Sequence, residues 1–165
     1  MAKVAVVSIG GAGTSIMKEM MKISTDYAAY NVNEKKSVNN ARYYGYEEIE
    51  VLAEELESFD CVVITAGLGS KSGDALAELY GKLDKVRKIC FLVSPFYFEI
   101  DRLLKSRTQL SKIMDNNFEG AVVSLNSLVK DLEDAEPSRE RLEKMIKKFD
   151  REMAELIIEM MQEVE

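Results

Sequence analysis

The 165-residue chain predicts an α/β fold of three layers, Rossmann-like, with a mostly parallel sheet of about five strands and a long C-terminal helix. Three observations predict it. Short apolar runs alternate with amphipathic stretches of helical spacing. The strand-like runs stop at small or amide residues, as the ligand-facing ends of parallel strands do. The final stretch, about Ser138 to Glu163, keeps three-and-four spacing through Leu142, Met145, Ile146, Phe149, Met153, Leu156, Ile157 and Met160. No linker, low-complexity tract or repeat intervenes, so residues 1–165 read as one domain with material for a real core.

Lys3 to Ile9 is the first buried strand, followed at once by Gly10-Gly11-Ala12-Gly13. Thr14 or Ser15 is placed to cap a helix whose apolar face is Ile16, Met17, Met20 and Met21. Asp26 to Val32 reads as a second strand ending at Asn31 and Asn33, and the polar stretch Glu34 to Gly45 as a mobile loop. Glu47 to Glu57 is an amphipathic helix built on Ile49, Leu52 and Leu56. The apolar run Cys61-Val62-Val63-Ile64 ends at Ala66-Gly67 and opens into a glycine loop, with a helix following over about Gly73 to Lys82. Val86 to Val93 is the next strand, stopped by Pro95, which has no N–H to donate. Asp101 to Met114 is helical, Gly120 to Leu125 is a strand ending at Asn126, and Asp131 to Glu136 is an acidic connection to Pro137, a first-turn residue of the last helix.

Composition excludes several classes. A net charge of −7 argues against extended nucleic-acid binding, and Lys144, Lys147 and Lys148 sit among acids as a solvated helix face. The chain has no histidine, which removes a histidine triad, a histidine base and most zinc or iron sites. Cys61 and Cys90 lie inside apolar runs and read as reduced core residues. No run approaches the ~20 apolar residues of a membrane helix, and no signal pattern precedes the first strand, so a cytoplasmic location is expected.

The stretch Phe59 to Leu76 carries the chemistry. A buried strand, a loop of small residues (Gly67, Gly69, Ser70, Ser72, Gly73) and a helix start together make an anion site, because free amides and the positive dipole end point at the ligand. Lys71 adds a charge that either pairs with phosphate or points to solvent. The loop is not a Walker A motif. Gly11-Ala12-Gly13 also lacks the third glycine of a dinucleotide fingerprint, since Ile16 stands there, and amides rather than an acid end the second strand. A Rossmann-type NAD or flavin enzyme is therefore the lesser alternative.

Taken together, these loops resemble the nucleotide-binding domain of the FtsZ/tubulin family. FDCVVITAGLGSKSG is similar to the family's strand and glycine-rich signature, ITAGxGGGTGTG, and Ser94-Pro95-Phe96-Tyr97-Phe98-Glu99 is similar to TxPFxFEG. The resemblance implies GTP or GDP as ligand, with Mg2+ accompanying GTP. It places Gly10, Gly11, Ala12, Gly13 and Ser15 in the first loop, and Asn31 and Asn33 in the second. Gly67, Leu68, Gly69, Ser70, Lys71, Ser72 and Gly73 fall in the phosphate-wrapping signature. Glu99 and Arg102 fall at the ribose, Asn126 at guanine, and Asp150 at the guanine edge with Glu143 as its competitor.

The departures are informative. Leu68 and Lys71 replace signature glycines, Thr14 and Ser15 stand where the family has an asparagine, and the stretch from Asn33 to Phe59 is too short for the γ-phosphate-sensing loop. The family's second domain and its catalytic acidic loop would follow the last helix, where this sequence stops. The resemblance thus implies a nucleotide-binding regulator or filament-associated protein with little intrinsic hydrolysis. No catalytic or metal-ligating residue is assigned. Ile158 and Met161 widen the apolar stripe of the last helix, which predicts a homo-oligomer or another FtsZ/tubulin-like partner. The alternative is a degenerate, nucleotide-free interaction module.

Overall fold

The computed structural model describes residues 2–128 and 139–164. Its elements are β1 (Val4–Ile9), α1 (Gly10–Ile23), β2 (Ala28–Val32), β3 (Arg42–Tyr44), α2 (Ile49–Leu56), β4 (Cys61–Gly67), α3 (Lys71–Lys82), β5 (Arg87–Ser94), α4 (Ile100–Ser111), β6 (Gly120–Ser124) and α5 (Arg139–Val164). Short 3-10 turns occupy Tyr46–Glu48 and Leu125–Leu128. The sheet runs β3-β2-β1-β4-β5-β6, and every neighbouring pair is parallel. The chain steps outward from β1 in one direction, then crosses back to lay β4 on its other side. That reversal opens a crevice between the carboxyl ends of β1 and β4, where open α/β sheets bind ligands.

The strands are near-continuous apolar runs because both faces of the sheet are covered. On one face Leu52 and Leu56 of α2 and Leu76 and Leu79 of α3 pack against Val7, Ile9, Val62 and Ile64. On the other, Ile16, Met17 and Met20 of α1 join Phe149, Met153 and Ile157 of α5 over Val6, Val63 and Phe91. These are the three layers. Cys61 and Cys90 are buried and free, and burial pushes the Cys90 thiol up to about 12. No helix among the described residues is long and apolar enough to cross a membrane.

The sheet has six strands among the described residues, one more than the sequence predicts. The stretch read as a mobile loop contains β3, which adds to β2 in register Asn31↔Tyr43. Three residues are too few to display a period of two. What holds the strand is lateral: Tyr44 stacks on Tyr30 at 6.3 Å, and Tyr44 Oη and Arg42 both bond the Glu55 carboxylate of α2.

Helix starts also move. α1 begins at Gly10 directly after Ile9, so Thr14 lies inside the helix and caps nothing, and α3 begins at Lys71 rather than near Gly73. The acidic connection Asp131 to Glu136, Pro137 and the proposed first helical residue Ser138 fall outside the described residues. Ile158 and Met161 are buried, contrary to the idea of an uncovered stripe. α5 lies in the angle between α1 and the sheet, so its apolar face must be wide to touch both. Leu156 is the stripe residue left exposed. Lys144 and Lys148 are exposed and pair along the helix with Glu140 and Glu152.

Candidate functional site: two helix starts at the sheet crevice

Because Ile9 of β1 and Ala66 of β4 are register partners, the helices that follow these strands begin side by side. Their starts touch. Gly10 has φ +74°, and a Cβ built on it would lie 2.6 Å from Ser72 Cβ and 3.2 Å from Tyr46 Oη. A Cβ on Gly67 would stand 3.1 Å from Ala12 Cβ, and one on Gly13 only 2.4 Å from the Thr65 carbonyl oxygen. The glycines at 10 and 13 are therefore what lets α1 lie flat against β4 and meet α3.

Neither helix start is capped by a side chain. Each leaves first-turn N–H groups without intrahelical acceptors, and each carries roughly half a positive charge. Around them, Ser72 Oγ donates to Gly67 O at 2.7 Å and lies 3.1 Å from Ser70 Oγ. Lys71 is exposed, with its ammonium 4.8 Å above the Tyr46 ring. Gly11, Ala12, Gly67, Ser70 and Lys71 thus share one donor-rich surface, with Gly10 and Ser72 packed beneath it and Gly13 buried against β4. An anion is the chemistry that surface suits.

Other residues singled out from sequence have internal tasks. Leu68 is buried in the core and donates its N–H to Val93 O at 2.8 Å. Gly69 (φ +92°) donates its N–H to Gln109 Oε1 at 2.7 Å, and a side chain there would strike Arg102 O at 2.6 Å. Gly73 faces the same glutamine, 2.0 Å from a built Cβ. These two glycines make room for α4. Asn31 is buried and donates from Nδ2 to Ser8 Oγ (2.8 Å) and Thr14 Oγ1 (2.9 Å), tying β2 to β1 and α1. Asn31 Oδ1 and Thr65 Oγ1, on strands flanking Ser8, are buried with no partner among the described residues. Asn33 is half-buried, with its Nδ2 3.4 Å from Thr14 Oγ1. Ser15 is exposed on α1.

At the β5 and β6 ends, Glu99 accepts the Phe96 N–H at 3.1 Å and pairs with Arg102 at 3.3 Å. Asn126 Oδ1 accepts the Tyr97 N–H at 2.9 Å, joining the loop after β5 to the turn after β6. Glu143 is exposed and pairs with Arg139.

Asp150 is not drawn to the helix starts. The charged group that influences it is Glu19, nine residues beyond Gly10 and so about 14 Å along α1 at 1.5 Å per residue. Burial first, then the Glu19 carboxylate, pushes the Asp150 carboxyl up to about 6 from 3.8. Glu19 is itself buried and pairs with Lys22 at 3.2 Å. As pH rises from about 4, the unfolded chain releases the Asp150 proton first, so the native state loses stability until about pH 6 and the loss is constant above. We expect Asp150→Asn to gain about 1–2 kcal/mol at pH 7.5, a value reduced for partial solvent screening, and nothing near pH 3.5. Thermal unfolding of both proteins at the two pH values checks this, and an equal difference at both would refute it.

Sequence reasoning missed two residues. Gln109 is buried in α4 and binds the glycine segment at three points: Gly69 N–H, Ser70 O at 2.8 Å and Asp74 Oδ1 at 3.0 Å. The Gln109 amide, with Lys105 adding to it, holds the Asp74 carboxyl below the usual range. The available signal was a polar residue spaced with Ser106 and Ile113 on the buried side of a helix. Tyr46 was passed over because nothing in the sequence shows that β3 ends beside α1.

No family model matches the chain. An uncharacterized protein of Archaeoglobus fulgidus is 66% identical over 164 residues, which is 99% of this chain and 96% of that protein. Among solved structures, Clostridium botulinum phage c-st TubZ with its C-terminal tail truncated superposes with a TM-score of 0.71 at 17% identity. It is matched over 96% of this chain and 60% of its own length. A PhuZ201 filament gives a TM-score of 0.60 at 9% identity, over 96% of this chain and 56% of the other. The present chain thus spans little more than half of either structure, and at these identities the likeness is one of fold. The chain belongs to the family of the uncharacterized Archaeoglobus fulgidus protein and has the fold of the tubulin-like proteins TubZ and PhuZ.

Proposed function

We propose that this chain binds a guanine nucleotide, GDP or GTP, with its phosphates on the paired starts of α1 and α3. One observation carries the phosphate half of this reading: two uncapped helix starts meet at the crevice between β1 and β4. The guanine half is supported by the FtsZ/tubulin resemblance of ITAG with its glycine loop and of PFYFE, and by the tubulin-like fold. A Mg2+ accompanying GTP would be held chiefly by phosphate oxygens and water, as magnesium usually is. Lys71 would pair with the phosphates. Its present contact with Tyr46 is worth only about 0.5–1 kcal/mol at an exposed site, against about 1.5–3 for a charge-assisted hydrogen bond.

The protein acts as a regulator or filament-associated factor with little hydrolysis of its own, partnered by itself or by another tubulin-like protein. Slow turnover is supported by two of the carboxylates near the site. Asp74 is engaged by Gln109 and Lys105, and Glu99 by Phe96 N–H and Arg102, so neither is available to orient water. A nucleotide-free interaction module is the second reading. It is favoured by the internal hydrogen bonds that already occupy Asn31, Gly69, Ser72 and Asn126.

Calorimetric titration with GDP, GTP and NAD, together with the nucleotide content of protein purified without added ligand, separates these readings. Guanine nucleotide should bind saturably and NAD should not, and Lys71→Met should weaken GDP about tenfold, the equivalent of one charge-assisted bond near the lower end of its range. Binding of NAD alone would indicate a dinucleotide protein. Binding of none would leave the interaction module.

A further inference from the structure

The two edges of the sheet are built differently. At one, β3 is three residues long, carries Arg42, and is tied down by the bonds of Arg42 and Tyr44 to Glu55. Shortness and charge are common means by which an edge refuses a further strand. At the other, β6 runs for five residues, GAVVS, with no charge, no proline and a register to β5 that no bulge interrupts. From Asn116 to Leu128 the only charged residue is Glu119, in a chain that is 31% charged. Arg87 already holds that carboxylate through two bonds of 2.9 Å. Among the described residues β6 pairs with β5 alone.

The ladder to β5 fixes which groups of β6 face outward. Cys90 N–H donates to Glu119 O, and Cys90 is the register partner of Gly120. Such bonds use alternate residues, so the main-chain groups of Glu119, Ala121 and Val123 turn to β5, and those of Gly120, Val122 and Ser124 turn away from it. Side chains alternate too. Ala121 and Val123 pack in the layer of α5, whereas Val122 is exposed on the opposite face. Between Ala121 and α5 lies a cleft of about 470 Å³, lined by Phe91, Leu156, Met160 and Val164, with Leu156 exposed.

We infer that β6 pairs antiparallel with β6 of a second copy of this chain, centred on Val122, so that two sheets join into one. This deepens the self-partnered half of the reading above and makes no use of the nucleotide half. The contact is self-complementary, as a twofold interface requires. Val122 meets Val122 of the partner subunit as a hydrogen-bonded pair, and Gly120 meets Ser124 of the partner subunit in the same way, so the outward groups fall opposite one another. No like charges are opposed, and the two exposed valines cover each other. On the α5 face Ala121 lies against the partner's Val123, which brings an apolar side chain to the mouth of the cleft. Charge favours a second copy at this place. Chains of net charge −7 repel one another broadly and approach at least cost where charge is absent, as it is along this strand.

Sedimentation of the wild-type chain over a concentration series should show a monomer–dimer equilibrium, which Val122→Pro should weaken about 10- to 100-fold. Proline removes an N–H that points away from β5, so the sheet keeps its own ladder while the dimer loses the two N–H···O bonds of its central pair. Val122→Lys sets like charges opposite each other and should also weaken the dimer, whereas Val122→Thr should not. Circular dichroism checks that each variant is folded. Val122→Cys reports the register, because paired Cα atoms about 5.5 Å apart suit a disulfide. Oxidation should cross-link it into a dimer and leave Val51→Cys, exposed on α2, as monomer, both native cysteines being buried. A monomeric wild type would overturn the inference and leave the edge to a strand of another protein. A dimer indifferent to Val122→Pro and Val122→Lys, or Val122→Cys cross-linking no faster than Val51→Cys, would overturn it as well. GDP titration of the same samples reads the nucleotide proposal separately, since neither result requires the other.

Discussion

Gly10→Ala should lower stability by about 2–4 kcal/mol and abolish measurable nucleotide binding, whereas Gly11→Ala, one residue away, should be neutral or gain up to about 1 kcal/mol. The two glycines look alike in sequence but differ in surroundings. Gly10 has φ +74°, a region costing an L-residue about 1–2 kcal/mol, and its new methyl would lie 2.6 Å from Ser72 Cβ. Relieving that contact must part α1 from α3, at an overpacking cost of about 1–3 kcal/mol, and parting them opens the surface on which phosphates would rest. A Cβ on Gly11 meets nothing within 4 Å, so alanine brings only its helix preference. Denaturant unfolding and GDP titration of the two variants check this. Equal stability losses at both positions would mean that the helix starts do not touch as described.

Gln109→Leu should cost about 3–5 kcal/mol, a large share of the roughly 5–15 kcal/mol that holds an ordinary domain. Leucine is close to glutamine in volume, so the effect isolates hydrogen bonding from cavity formation. It leaves the Gly69 N–H without its acceptor in a buried position and frees Ser70 O and Asp74 from the amide. The buried N–H alone is worth about 1–3 kcal/mol, and the lost bond to a carboxylate adds about 1.5–3. GDP affinity should fall as well, because Gln109 fixes the segment between β4 and α3 that aims the first-turn amides. Gln109→Glu provides a contrast. It retains the acceptor for Gly69 but sets a second carboxylate against Asp74, so its stability should improve as pH falls toward 4 while that of Gln109→Leu should not. A Gln109→Leu protein with wild-type unfolding would show that the glycine segment holds its shape unaided.

Much of this was legible in the chain itself. Strands buried on both faces must be continuously apolar, so β1, β4 and β5 announce themselves, and the alternation with helical spacing leads to a parallel sheet. Strand–glycine–helix junctions at Gly10 and Gly67 mark the carboxyl end of that sheet, and they do fall side by side. The short edge strand β3 was not legible, because three residues show no period and its stabilising contacts with Tyr30 and Glu55 come from distant segments. Ile158 and Met161 misled for a related reason. A wide apolar stripe has the same pattern whether it awaits a partner or packs against two neighbours at once, and here α1 and the sheet are those neighbours.

The layer architecture, the parallel sheet and the two glycine junctions are set by the chain's local pattern, because they follow from periodicity and backbone freedom within a dozen residues. Which atoms those junctions face is settled by long-range packing. It spent Asn31, Gly69 and Asn126 on internal hydrogen bonds, placed Asp150 beside Glu19, and brought Tyr46 and Gln109 to the helix starts. Such pairings join residues far apart in the chain, and their direction depends on where neighbouring strands end, which no local pattern encodes.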